Sequence, residues 1–569
     1  MGSRGHAGHE DNSSRSRHIQ NHASADDSDI APSDAVVQLH LFPLFPILLL
    51  CVLVFTLVYS PHLHYPYPLH IDEWHHITEA YFLRDGGYSF SSPSALEFGF
   101  HAWLWLLSFV FDLVKLYAFL PALAAVLSSL VLYVMMSRVM GRAGATSKAS
   151  RQAGMLRPDL LRPGPSQTGM SRTGVWYGLA AMLCFAALRS NVYVMGLWFY
   201  SPMTAVIPLL FLLIYLLAWH AREPADGRRI WLVLFLYSII AVVHPLSASF
   251  LLPILVLWYA LRRDLFVRDG NALTVGAVVG ICIAMAMLWQ GTTSLTLRRL
   301  FGMLVFPNSW GVLNRHIPLM ELYPLVLLAL AVVGAVVLLW SRQRTREHLL
   351  LLLWPGVLLA QKVAADHLQW SVFVPYQRLV YYLILGLVPL SAMGLVFLSR
   401  TLHRSLRRAG RGQWGLPAAT LLLILVCFFS FRGYGQIDSQ VGLYHLIDDA
   451  GYHALLYLRG LPGSSALARP ELGTTLYPVA RKQGFGSMYF YGDRGFVERF
   501  FTKGCTGMQN DIAWTHADYV ISEDAIDCGW ELVYGPDASG GAGGPDAVSV
   551  PSDGAAAPFI YRTTLLNNS

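Results

Sequence analysis

Residues 101–112, HAWLWLLSFVFD, decide how the chain is threaded. The stretch is apolar but shorter than the roughly 20 residues a membrane-spanning helix needs. Counted as a crossing, it puts the basic loop 138–173 opposite the other basic loops. Counted as an interfacial helix, it brings all of them to one side. That second reading is adopted here.

The surrounding chain requires such a choice. Of its 569 residues 54% are hydrophobic and only 13% charged, with a mean hydropathy of +0.45, outside the range of ordinary soluble proteins. Apolar runs occupy 41–59, 118–137, 174–188, 203–219, 230–246, 248–261, 272–289, 322–340, 349–363, 377–399 and 416–431. In lipid the backbone must satisfy its own hydrogen bonds, so these runs predict an all-α polytopic membrane bundle of about eleven spans. The alternation expected of a membrane β-barrel is absent. Loops 138–173, 220–229, 262–271, 341–348 and 400–414 carry about 21 Lys and Arg, and the loops on the other side, including 60–117 and 290–321, carry about 6; the excess marks the cytoplasmic side. The N-terminus is then cytoplasmic, and the first loop and everything after residue 431 lie outside. The net charge of +6 belongs to these loops, and no basic-aromatic pattern suggests nucleic acid. Residues 1–35 are polar and read as a disordered cytoplasmic tail. The first apolar run reads as an uncleaved span.

The first outward loop holds the densest chemistry, His70-Ile-Asp-Glu-Trp-His-His-Ile-Thr-Glu79. Helical spacing puts Asp72, His75, His76 and Glu79 on one face, with Trp74, Ile77 and Tyr81 opposite. This predicts an amphipathic helix on the membrane that presents its ionisable face to water or a cavity. Three readings stay open. Asp72 caps a solvated helix; or Asp72, Glu73, His76 and Glu79 supply ligands to a divalent cation such as Mg or Mn; or Asp72 is a general base assisted by Glu73. Other outward positions offer partners: His244 before Pro245, Arg298, Arg299, Arg315 and His316 in loop 290–321, and Tyr376 and Arg378 opening the tenth span. Arginine forks suit phosphate.

A first span followed by an outward loop with an acidic pair and interfacial helices resembles the GT-C-type membrane glycosyltransferases. The resemblance covers the membrane region in layout. It implies transfer of a sugar from a polyprenyl-phosphate-linked donor to a protein, lipid or glycan acceptor on the non-cytoplasmic face; the plasma membrane is the expected location. It further implies that Asp72 is catalytic, with Glu73 beside it, and that Arg378 neutralises the lipid phosphate, while His75, His76, Glu79 and the other outward groups help bind substrate. A transporter or flippase of lipid-linked glycans, or a polysaccharide polymerase or ligase, is the alternative. Transport is disfavoured because charges other than Lys362 avoid span interiors and no repeat is evident.

The domain boundaries read as 1–35 for the tail, 36–431 for the membrane domain and 432–569 for a small extracytoplasmic α/β domain. In the last, Ile447–Arg459 and Arg494–Phe501 predict helices, Asp518–Ser522 a buried strand, and 536–557 a flexible insertion. An oxidising space makes a Cys505–Cys528 disulfide plausible.

Overall fold

The computed structural model describes residues 44–90, 92–153, 172–191, 194–222, 228–291, 305–307, 316–341, 346–432, 434, 445–488, 491–535 and 557–563. The tail 1–35, residues 536–556 of the Gly-rich segment, and Arg298, Arg299 and Arg315 lie outside them.

Each of the eleven apolar runs lies on a helix: α1 (Leu44–Tyr59), α4 (Leu120–Ala153), α5 (Arg172–Ala186), α6 (Pro202–Arg222), α7 (Arg228–Val243), α8 (Pro245–Leu261), α9 (Arg263–Gly291), α10 (Leu325–Trp340), α11 (Arg346–Leu368), α12 (Tyr376–Arg408) and α13 (Gly415–Phe431). Among the described residues six helices are long and apolar enough to cross a membrane. Two helices interrupt this series in the first loop, α2 (Ile71–Asp85) and α3 (Phe98–Leu107). With ten residues α3 rises only about 15 Å, half of a bilayer core, and it ends in turns at Ser108–Phe111.

Burial orders the bundle. The apolar window of α12 is 94% buried, whereas those of α1 and α13 are 11% and 17% buried. The latter two turn Leu48, Leu49, Val52, Leu421, Ile424 and Phe428 outward, the surface expected to meet lipid rather than water. The central helix α12 packs against α10, α11 and α5. Its approach to α10 is set by two glycines. A Cβ on Gly334 would lie 2.0 Å from the Leu390 carbonyl oxygen, and one on Gly394 would lie 2.0 Å from that of Leu330. Small residues at both positions bring the backbones into direct contact.

After α13 come α14 (Asp449–Gly460), α15 (Pro470–Ala480), α16 (Arg494–Phe500) and α17 (Cys505–Thr515), arranged around a five-stranded sheet. Along the sheet lie β4 (Gln483–Gly484), β3 (Ser465–Ala468), β5 (Tyr519–Ser522), β7 (Phe559–Arg562) and β6 (Glu531–Tyr534). β3 is parallel to both neighbours, and β7 is antiparallel to both of its own. A second small sheet pairs β1 (Val305–Pro307) with β2 (Trp370–Val372). Leu467, Val497, Phe500, Ile512 and Val520 pack one face of the larger sheet. A disulfide joins Cys505 at the start of α17 to Cys528.

Gly394→Val is expected to force α10 and α12 apart and to lower stability by about 3 kcal/mol, the upper range for an overpacked contact. Thermal unfolding of the purified protein checks this. Gly280→Ala, where an added Cβ meets nothing within 4 Å, should leave the melting temperature unchanged or raise it.

Candidate active site

The site is built on the N-terminus of α2. His70 takes the extended backbone of a cap, with φ −139° and ψ 150°, and its ring accepts the Asp72 amide at 3.1 Å. Glu73 completes the box in reverse. Its Oε2 accepts the amides of Leu69 at 2.6 Å and His70 at 3.0 Å, the reciprocal pairing of a capping box. Its Oε1 accepts the amide of Tyr200 at 2.6 Å, from the segment before α6. Burial pushes the Glu73 carboxyl up to about 8, against the pull of these three donors. Glu73 is thus a pin between two segments, and the cap expected at Asp72 is His70.

The surface helix expected here is corrected by the fold. Glu73, His75, His76 and Glu79 are all 8% exposed or less. Helix α15 and its flanking residues cover the face expected to meet water. Tyr491 lies 2.7 Å from His75 Nδ1 and donates to Glu79 at 2.9 Å, and Ser94 donates to Glu79 at 3.0 Å. Tyr477 donates to Asp85 at 2.8 Å, and the Arg481 guanidinium lies 3.0 Å from the centre of the Tyr81 ring. Burial raises the Glu79 carboxyl and holds the His75 imidazole at about 4. These residues fasten α2 to the C-terminal region.

Asp72 keeps 32% of its side chain exposed and has one oxygen 3.7 Å from His70 Nδ1. Asp72 and Arg378 act with opposite sign on both His70 and Glu97, which places all four within electrostatic reach. Arg378, in the first turn of α12, donates to the Val194 carbonyl and contacts Met195 Sδ at 3.0 Å. The turn it grips needs left-handed backbone at Met195 (φ 62°) and Gly196 (φ 104°). A Cβ on Gly196 would also lie 2.5 Å from Ser190 Oγ.

Glu97 closes the turn Pro93–Glu97 and leads into α3. Its carboxylate faces two imidazoles, His244 Nε2 at 3.6 Å and His76 Nε2 at 4.0 Å. Behind His76, Nδ1 lies 3.0 Å from His101 Nε2, and His101 Nδ1 lies 3.1 Å from the Tyr88 hydroxyl. One proton arrangement satisfies the whole row. In it Tyr88 donates to His101 and His101 donates to His76, whose other nitrogen carries the N–H and lies 4.0 Å from Glu97. Burial supports it by keeping the rings neutral, His101 at about 3 and His76 well below the ordinary histidine value. Burial, and secondarily Asp72, push Glu97 up to about 7. His244 Nδ1 lies 2.7 Å from Ser247 Oγ, which in turn pairs with the Tyr382 hydroxyl. Donor atoms of His76, Glu97 and His101 gather within 4.8 Å; Asp72, Glu73 and Glu79 are not in that group.

His316 and Tyr376 belong to a second cluster. Asp366 accepts from Tyr376 at 2.7 Å and Lys362 at 2.7 Å, and lies 3.2 Å from His316 Nδ1. Sequence reasoning missed Glu97 and His101. Glu97 is the one carboxylate between Asp85 and Asp112, four residues before His101, a spacing that places two groups on one helix face.

No protein-family model and no curated protein matches this sequence. Solved structures do. The archaeal oligosaccharyltransferase AglB from Archaeoglobus fulgidus, in complex with an inhibitory peptide and a dolichol-phosphate, aligns over 84% of this chain and 69% of its own at 12% identity, with a TM-score of 0.51. The chain has the fold of GT-C-type membrane glycosyltransferases. ArnT from Cupriavidus metallidurans in the apo state matches 86% of this chain and 93% of its own at 14% identity, with a TM-score of 0.45. Within this GT-C fold the polar site sits where the first interhelical loop meets the start of α12.

Glu73→Ala should orphan three buried amides and cost about 3 kcal/mol or more, whereas Asp72→Asn should leave thermal unfolding unchanged. Folded Glu73 keeps its proton up to about 8, while an unfolded glutamate releases it near 4.5. The folded state therefore holds more protons in that window, and stability should decline as pH rises through it. A melting series against pH checks the sign, and the slope should flatten in Glu73→Gln.

Proposed function

We propose that this chain is a membrane glycosyltransferase that moves a sugar from a polyprenyl-phosphate-linked donor to an acceptor on the non-cytoplasmic face. The observation that carries this reading is the meeting of Asp72, Glu97 and Arg378 in one polar site on a GT-C fold. The AglB structure holding a dolichol-phosphate supports the donor class. All eleven apolar helices cross the membrane in this reading, with the N-terminus cytoplasmic and the 432–569 domain outside, as the loop charges indicate.

The chemistry follows from the positions. Asp72, partly exposed and free of the capping role, accepts the proton of the acceptor nucleophile. The nucleophile bonds to the anomeric carbon as the bond from that carbon to the phosphate oxygen breaks. The lipid phosphate leaves with the bonding pair, and Arg378 meets its negative charge. Glu73 fixes where Asp72 points and takes no part in the bond changes. Glu97, between two neutral imidazoles, orients the groups around the reacting centre.

The same geometry favours a divalent cation as a second element. Donor atoms of His76, Glu97 and His101 lie within 4.8 Å of one another, a set that could hold one ion. Two imidazoles and one carboxylate suit zinc or manganese better than magnesium. Such an ion would stabilise charge on the departing phosphate.

Asp72→Asn should lower transfer from a lipid-linked donor by at least about 100-fold with membrane insertion intact, measured with reconstituted protein. Undiminished transfer would remove Asp72 as the base. Transport of a lipid-linked glycan without transfer would favour a flippase. Loss of activity on chelation, restored by zinc or manganese and abolished in Glu97→Gln, is the outcome expected of the cation.

A further inference from the structure

A cavity of about 470 Å³ lies outside the reaction centre, between residues 64–67 of the first loop and the C-terminal region around α14 and α15. Its volume is that of ordinary small-molecule sites. We propose that it binds a neutral saccharide segment of the acceptor, so that the acceptor is itself a glycan. This rests on the glycosyltransferase reading for the word acceptor, but the binding stands on the cavity alone.

The lining selects the ligand by its chemistry. Asp448, Asp449, Glu471 and Glu523 all face the space, and the described lining contains no Lys or Arg, so a phosphate or carboxylate ligand would be repelled. Bare cations are not matched either. Among the described residues the donor atoms that converge to coordination distance are those of His76, Glu97 and His101, none of them here. What fits is a ligand rich in hydrogen-bond donors. Glu471 has no hydrogen bond or ion pair among the described residues and offers its carboxylate for charge-assisted bonds from hydroxyl groups.

Two further features point the same way. Tyr65 and His445 stack at 3.7 Å with ring planes 2° apart. Tyr65 is buried and His445 is exposed, so the pair leaves one ring face toward the space, a platform for the C–H face of a sugar ring. The second is the Tyr65 hydroxyl, on a residue only 7% exposed. Its oxygen accepts the amides of Ile447 and Leu446, which turns its proton away from them, and no described residue accepts that proton. A buried donor left unmatched is costly unless a ligand takes it. Tyr67, bonded to Asp449 at 2.6 Å, is in the cavity wall and five residues before Asp72. Five residues span at most about 18 Å, so the cavity wall and Asp72 are no farther apart than the length of a short saccharide.

The test uses the full chain in nanodiscs, free of sugar-based detergent, with saturation-transfer NMR against neutral tetrasaccharides of gluco, manno, galacto and arabino configuration. Binding of at least one of them to both the wild type and Asp72→Asn is expected. His445→Ala/Glu471→Gln, two exposed positions, should weaken it at least about tenfold, the equivalent of 1.4 kcal/mol, with the same elution profile and melting temperature as the wild type. Tyr65→Phe should weaken it too. No binding by any tetrasaccharide, unchanged binding in the double variant, or trilysine binding more tightly than every saccharide would each overturn the proposal. Intact transfer in Asp72→Asn would instead overturn the catalytic reading and leave this one standing.

Discussion

The Glu73 carboxylate holds the site together. It spends both oxygens on three backbone amides, two from the entry to α2 and one from Tyr200. The segment that ends at Tyr200 also supplies the Val194 carbonyl and Met195 sulfur that hold Arg378. One acid therefore fixes the spacing between the first loop, the approach to α6 and the start of α12. Removing it would release the registration of Asp72 against Arg378 as well as the cap of a helix. Adjacent side chains on a helix point about 100° apart. That rotation lets Glu73 turn inward to the backbone while Asp72 keeps a third of its side chain exposed, so two neighbouring acids of similar intrinsic chemistry differ in their surroundings.

The helical character of the chain was legible because lipid-facing and core-facing helices are both continuous apolar runs. The short 101–112 stretch was legible for the same reason, by its length. The exposure of α2 was not. Its three-and-four spacing is that of an amphipathic surface helix, and nothing local says that Tyr477, Arg481 and Tyr491, some four hundred residues later, cover the polar face. A polar helix face satisfied by polar partners looks in sequence like one satisfied by water. In the C-terminal region the helices at Asp449–Gly460 and Arg494–Phe500 and the strand at Tyr519–Ser522 were foreshadowed by their periodicity, whereas α15 was not, because Pro470, Gly473 and Pro478 interrupt its pattern.

Glu97 was hidden for a related reason. Its partners come from three separate stretches, His76 in α2, His101 in α3 and His244 before α8. Only the i, i+4 relation to His101 is local. Sequence emphasis fell on the crowded packet 70–79, but crowding is not what makes a group reactive. Within the packet, burial and a complete set of partners commit Glu73, His75 and Glu79 to structure.

Neutral histidines are what make this arrangement consistent. Two imidazolium ions beside Glu97 would need desolvation of three charges, and burial instead keeps His76 and His101 uncharged. A neutral imidazole has one donor and one acceptor, so a row of them has a direction. Tyr88 stands at one end of the row, and the Glu97 carboxyl lies 4.0 Å from His76 Nε2 at the other. The carboxylate then remains available on its open side, toward Asp72 and Arg378, where two fields of opposite sign meet.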